Sequence, residues 1–210
     1  MYMENASRSE MRILCYIIGL NLTATAVVLN IRLNVGVAAF STVMYAISEI
    51  YHLSLGIASI ICYLIFVTAQ CILSHGVTFP YLLEIPLSIA FGVLTDVYDR
   101  IIPALSFPMP ARLICFVLTM FVTAAGVFLC VKSRMVLTPT DGIVNTISEV
   151  CNLCFSTVKN IFDLSMVIIS ALLCWLNHSP FYGIGVGTVL SAFLLGRIVK
   201  LYEIFCRIHL

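Results

Sequence analysis

Apolar residues gather in six long runs along this chain, at about 12–31, 54–74, 81–98, 112–131, 156–176 and 181–199. Each run approaches the roughly 20 residues that a helix needs to span hydrocarbon. The pattern predicts an all-α transmembrane bundle with six long helices. Two further stretches break that pattern. "AFSTVMYAISEI" (Ala39 to Ile50) lies between the first and second runs, and "PTDGIVNTISEV" (Pro139 to Val150) between the fourth and fifth. Both end in Ile-Ser-Glu followed by a branched aliphatic residue. Pro139 has no N–H to give and pushes Thr138 towards an extended conformation, so a continuous helix is disfavoured there. The expected form is an extended stretch followed by a short helix, capped by Thr140 or Asp141 and ending near Asn152.

These two elements stand 100 positions apart, and the same shift aligns most of the chain without gaps. Arg12 falls on Arg112, Cys15 on Cys115, Ile47-Ser48-Glu49 on Ile147-Ser148-Glu149, Pro80 on Pro180, and Arg100 on Lys200. Apolar coincidences are common in membrane proteins, but matched Arg, Glu and Pro are not. The alignment predicts two tandem repeats, 11–110 and 111–210, each with three long helices and one short discontinuous helix, after a short cytoplasmic N-terminal segment at 1–10. The first apolar run has the length of a signal sequence, but its partner copy inside the chain argues that it is a helix of the fold.

Each short element either dips in and returns, giving three crossings per half and an inverted pair, or crosses, giving four per half and a parallel pair. Lys and Arg favour cytoplasmic ends. If the elements cross, one side collects Arg8, Arg12, Arg100, Arg112, Lys159, Arg197, Lys200 and Arg207, and the other only Arg32, Lys132 and Arg134. That division predicts eight crossings, parallel halves and both termini in the cytoplasm. About seven extended residues and twelve helical ones are together long enough to cross.

Composition agrees with a membrane protein. The chain is 61% hydrophobic and 10% charged, with a mean hydropathy of +1.10, whereas soluble domains carry about 25% charged residues. The partners this implies are a lipid bilayer and a small solute. A second copy of the chain or a partner subunit is compatible with it. A net charge of +1 without a basic run points to no nucleic acid. Nine scattered cysteines, an odd number, do not make a fully paired disulfide framework. Cys151 and Cys154 have C-x-x-C spacing but no second pair, and the four histidines form no H-E-x-x-H pattern. No metal, cofactor or catalytic residue is expected.

Ionisable residues inside a membrane are costly and usually functional. Asp141, Asn145, Ser148 and Glu149 follow the i, i+4, i+7/8 spacing of one helix face, and Ser41, Tyr45, Ser48 and Glu49 repeat it in the first half. If the two faces meet in the core, Glu49, Glu149, Asp141, Asn145, Ser48, Ser148 and Thr140 are candidates for binding a solute or ion. The competing reading leaves Glu49 and Glu149 at the membrane interface. Lys159 and Asp163 are placed to pair with each other. Gly183, Gly185 and Gly187 would let helix backbones approach closely. Asp96, Asp99 and Arg100 are expected to be solvated at a helix end.

"LTPTDGIVNTISEV", "FSTVKNIFDLSMV" and "YGIGVGTVLSAFLLGRIVK" together resemble the bacterial YczE-like membrane proteins and, more distantly, the YitT-like ones. The resemblance implies a bacterial cytoplasmic-membrane protein, with Pro139, Gly142, Gly185, Gly187 and Thr188 as motif positions. It brings no substrate. Broken helices at matching positions of two repeats mark solute sites in secondary transporters, so a small-solute transporter or permease leads. A ligand-binding or accessory subunit is the alternative, because no G-x-x-x-x-G-K-[ST] loop supports coupling to ATP. An enzyme comes third, because Ser148 and Glu149 lack a base-orienting partner.

Overall fold

The computed structural model describes residues 2–133 and 135–208, which form eight α-helices and no strand. Six are long: α1 (Tyr2–Leu33), α3 (Leu55–Leu73), α4 (Phe79–Ile101), α5 (Met109–Ser133), α7 (Phe155–Leu176) and α8 (Val186–Ile208). Two are short: α2 (Thr42–Tyr51), preceded by a 3-10 turn at Ala39–Ser41, and α6 (Pro139–Cys151). Within α1 the stretch Glu10–Leu33, and the whole of α3, α4, α5 and α7, are long and apolar enough to cross a membrane. Helix α8 is as long but carries Arg197, Lys200 and Glu203. The protein is a multi-pass membrane protein by this measure.

Burial has the polarity that a bilayer requires. Ile65, Ile114, Leu118, Ile161 and Ile168 face outwards and are exposed, while Asn30, Gln70, Ser88, Thr95, Thr123 and Ser170 are almost fully enclosed. Many buried hydroxyls bond back to a carbonyl one turn earlier, as Thr23 does to Gly19 and Thr123 to Thr119. This keeps polar groups satisfied where no water reaches. Helices α1 and α5 pack closely along their length. A Cβ at Gly19 would stand 2.8 Å from the Gly126 carbonyl oxygen, and one at Gly126 2.8 Å from that of Gly19. Only glycines permit that approach.

The eight-crossing expectation is overturned. Arg32, at the end of α1, pairs with Asp99 at the end of α4. It also lines one cavity with Glu49 and His52 at the end of α2. Ser54 and Gly56, at the start of α3, bond to Asp96. Both ends of the segment 34–54 therefore lie at one end of the bundle, the Arg32 end. At the other, Arg12 donates to the Ser133 carbonyl, and Val131, Cys154 and Lys200 line a second cavity. The segment 135–154 begins and ends there, at the Arg12 end. Each short element thus dips into the bundle and returns. The charge count misled because it rested on few residues, one of which, Arg134, lies outside the described residues. A helix of ten to thirteen residues is only about 15–20 Å long at 1.5 Å per residue.

Helix limits follow the apolar runs except at the two ends of the chain. The first helix starts at Tyr2 rather than near 12, and so runs through most of the segment 1–10. The last starts at Val186 rather than near 181, because Gly183 adopts φ +70° and Gly183 and Gly185 stay outside it. Asp96 and Asp99 are engaged as described, not simply solvated. Both short helices stop at a left-handed residue, His52 (φ 53°) and Asn152 (φ 54°), a common way to end a helix. Helix α6 begins two to three residues earlier than expected, with Thr138 rather than Thr140 or Asp141 in the cap position and Pro139 in the first turn, where its missing N–H costs nothing.

Candidate functional site

The tips of the two returning elements meet inside the bundle. Asp141 sits in the first turn of α6, with its carboxylate 3.4 Å from the Lys159 ammonium of α7. Asp163, one turn along α7, is 3.3 Å from the same ammonium. The expected Lys159–Asp163 pairing is present, and Asp141 completes it. Thr138 donates to Asp141 at 2.9 Å. The Phe40 ring, at the tip of the first element, lies 5.1 Å from the Lys159 nitrogen, and the Phe162 ring 5.8 Å. Asp141, Lys159 and Asp163 are 4, 6 and 1% exposed, so their charges depend on each other and on the rings. Breaking such a buried pair on one side leaves an uncompensated charge.

A second buried acid lies beside this triad. Glu84, about a turn and a half into α4, accepts from the Gln70 amide of α3 at 2.7 Å. Gln70 in turn accepts from Thr146, which shares a hydrogen bond with Tyr81. A Cβ at Gly142 would fall 2.5 Å from the Glu84 carboxyl, so the glycine that follows Asp141 makes room for the acid. Thr140 and Tyr63 of α3 line one small void beside the triad. The sequence reading missed Glu84 and Gln70 as site residues. The available signal was a glutamate inside an apolar run, three residues from its start.

A cavity of about 370 Å³ opens at the Arg12 end and reaches Asp141 and Lys159, passing Asn145, Ser156 and Lys200 between apolar walls from α5 and α8. Behind the triad is a void of about 20 Å³ that also touches Tyr63, Thr138 and Thr140. At the Arg32 end, a separate cavity of about 330 Å³ is lined by Tyr45, Ser48, Glu49 and His52.

The candidate residues are therefore only partly brought together. Asp141, Thr140 and Gly142 belong to the buried site, and Asn145 to its approach. Glu49 and Glu149 do not meet: Glu49 is half-buried in the cavity at the Arg32 end, and Glu149 is exposed at the opposite end, bonded to Asn145 at 2.8 Å. Their position near helix C-termini, four or more residues from the tips, keeps them out of the core. Ser48 and Ser148 donate to the carbonyls of Leu53 and Leu153 and close the turns after their helices.

The glycine motif has a different role from helix packing. Val37 donates to the Gly183 carbonyl at 2.8 Å, and Gly187 to the Val35 carbonyl at 2.9 Å. The Thr188 hydroxyl accepts from the Val37 N–H and donates to the Gly183 carbonyl. Ser191 accepts from Ala39. Gly36 holds φ +121°, and a Cβ there would meet Thr188 at 2.6 Å. Gly183, Gly185, Gly187 and Thr188 thus satisfy the extended backbone of the first element at its point of entry.

These features define a polytopic helical membrane protein with a charged cluster enclosed between two returning elements. Residues 11–204 match the family of unknown function DUF6198, and the chain belongs to that family. No curated protein and no solved structure matches the chain.

Proposed function

We propose that this protein is a small-solute secondary transporter or permease of the cell membrane, with its solute site at the Asp141–Lys159 floor. One observation carries the reading. The cavity that reaches the floor from the Arg12 end has a counterpart at the Arg32 end, and the two are lined by positions 100 apart. Ile31 and Val131, Tyr45 and Asn145, Ser54 and Cys154, Leu55 and Phe155, and Asp99 and Val199 correspond. Two related vestibules entering from opposite ends are what alternating access requires.

This pairing also supports a duplication of 11–110 and 111–210, with the second copy inverted in the membrane. In line with that, α2 packs on α7 and α6 on α3. Arg12, Lys132 and Lys200 cluster towards the Arg12 end, with Arg8 and Arg207 in the outermost turns of α1 and α8, against Arg32, Arg100 and Arg112 opposite. The Lys/Arg bias favours the Arg12 end, and with it both termini, on the cytoplasmic side. The finer likeness to YczE-like proteins belongs to the same proposal and rests on the motifs at 139–142 and 185–188.

The test is uptake into proteoliposomes from a broad solute panel, comparing wild type with Asp141→Asn and Lys159→Met. Movement of one solute class, lost in both variants, is the expected result. Wild-type protein that is folded and moves nothing in the panel, or variants that transport as well as wild type, would sink the reading.

A further inference from the structure

Among the described residues the buried ionisable side chains of Asp, Glu and Lys type are Glu84, Asp141, Lys159 and Asp163. Three can be anionic and one cationic. Both aspartates stand within 3.4 Å of the Lys159 ammonium. Glu84 has no such cation; its hydrogen-bond donor is the neutral Gln70 amide. A carboxylate enclosed without a counter-charge costs several kcal/mol or more and neutralises instead. A metal ion would need about six oxygen ligands, and Glu84 is instead pressed against the backbone of α6 at Gly142.

We infer that Glu84 is a proton-binding site, held as a carboxylic acid in this arrangement of the two returning elements. The groups around it fit that state. Asp141, the residue before the Gly142 against which Glu84 is packed, is the charged group that faces it from α6. From α3 comes only the uncharged Gln70, and on α4 itself the nearest titratable neighbour is Tyr81, joined through Thr146. From α1 comes Tyr16, 8% exposed, whose hydroxyl makes no hydrogen bond to Glu84 or to any other group among the described residues. The Gln70 amide is therefore the hydrogen-bond donor to this carboxyl group, and among the described residues no cation faces it. Deprotonation would put an unpaired charge beside Asp141, so loss of the proton and movement of the α6 tip are linked.

This deepens the transporter reading by naming its coupling ion, and it rests on that reading only for the coupling. The test needs no solute: infrared spectra of the full chain in phosphatidylcholine–phosphatidylglycerol vesicles, titrated with acid and base. Wild type is expected to show the carbonyl stretch of a protonated carboxyl group at neutral pH. Glu84→Gln should remove it, and Asp163→Asn should leave it. Gln70→Met, which removes the amide donor and keeps the acid, should shift its frequency. A wild-type spectrum without the band, a band unchanged in Glu84→Gln, or one unmoved in Gln70→Met overturns the assignment. Replacing sodium chloride with choline chloride should change nothing; a band that appears only without sodium assigns the site to the metal ion and overturns the proton. Absent uptake with the band retained counts against the transporter alone, and uptake without the band against this site alone.

Discussion

The two returning elements have the same outline and opposite chemistry. The first, 34–51, enters as an extended stretch whose N–H and C=O groups are tied to Gly183, Gly187, Thr188 and Ser191. Its tip is Phe40, Ser41 and Thr42, all buried and uncharged. The second, 135–151, has Asp141 at its tip, bound to a lysine on α7, and an open cavity alongside. Where the first has a backbone seam, the second has an ion pair. A seam of neutral hydrogen bonds has one good arrangement. A lysine between two carboxylates has two, since Lys159 can favour Asp163 on its own helix or Asp141 on another element. The comparison shows the first element anchored by neutral hydrogen bonds and the second held by charge.

The most severe break is expected in the seam. A Cβ at Gly185 would overlap the Val35 carbonyl oxygen, which is backbone and cannot turn aside. Gly185→Val should abolish accumulation of folded protein. Gly76→Ala, in open space, is the control and should melt like wild type. A Gly185→Val protein with a wild-type melting curve in detergent would refute the anchoring role.

Next comes the charge that holds the second tip. Lys159→Met leaves Asp141 and Asp163 buried without their cation, and loss of one partner of a buried pair costs about 3–5 kcal/mol. Combining it with Asp141→Asn and Asp163→Asn should recover most of that stability, because no charge is then left unpaired. A triple variant no more stable than Lys159→Met would show that geometry rather than charge holds the tip. Thr188→Val is a smaller wound to the first element: it removes the second acceptor of the Val37 N–H, which keeps the Gly183 carbonyl, and the acceptor of the Gly185 N–H, and should cost about 1 kcal/mol. Glu149→Gln, at an exposed end, should change stability by less than about 0.5 kcal/mol. A large loss there would return Glu149 to the site.

Much of this arrangement could be read from the residues. The six apolar runs gave the long helices because lipid demands unbroken apolar length, and Pro139 and Asp141 marked the second break because a proline and a charge disrupt that pattern. Asp141 was legible for the same reason. The path of the short elements was not, since it depends on where Arg32 and Arg12 find partners 67 and 121 residues away. Glu84 was hidden by its sequence context: a single acid inside an apolar run looks the same whether it faces lipid headgroups or a glutamine. The glycines of 183–187 signalled close backbone approach, but whether the partner was a helix or an extended strand lay in Val35–Val37, which carry no signal of their own.

The smallest effect tests the path of the second element directly. Cys154 is exposed in the turn between α6 and α7, at the Arg12 end. Hydrogen bonding by Ser156 holds its thiol below the usual cysteine range. The thiolate is the reactive form, so the depressed value raises reactivity at neutral pH and the advantage vanishes at alkaline pH, where both wild type and variant are ionised. Ser156→Ala should therefore slow maleimide labelling of Cys154 severalfold near pH 7 and leave it unchanged in base. In sealed vesicles the side from which Cys154 is labelled should match that of an engineered Arg12→Cys and oppose that of Ser54→Cys. If Cys154 and Ser54→Cys label from the same side, α6 crosses the membrane after all, and the contrast between a tip anchored by a backbone seam and one held by charge loses its structural basis.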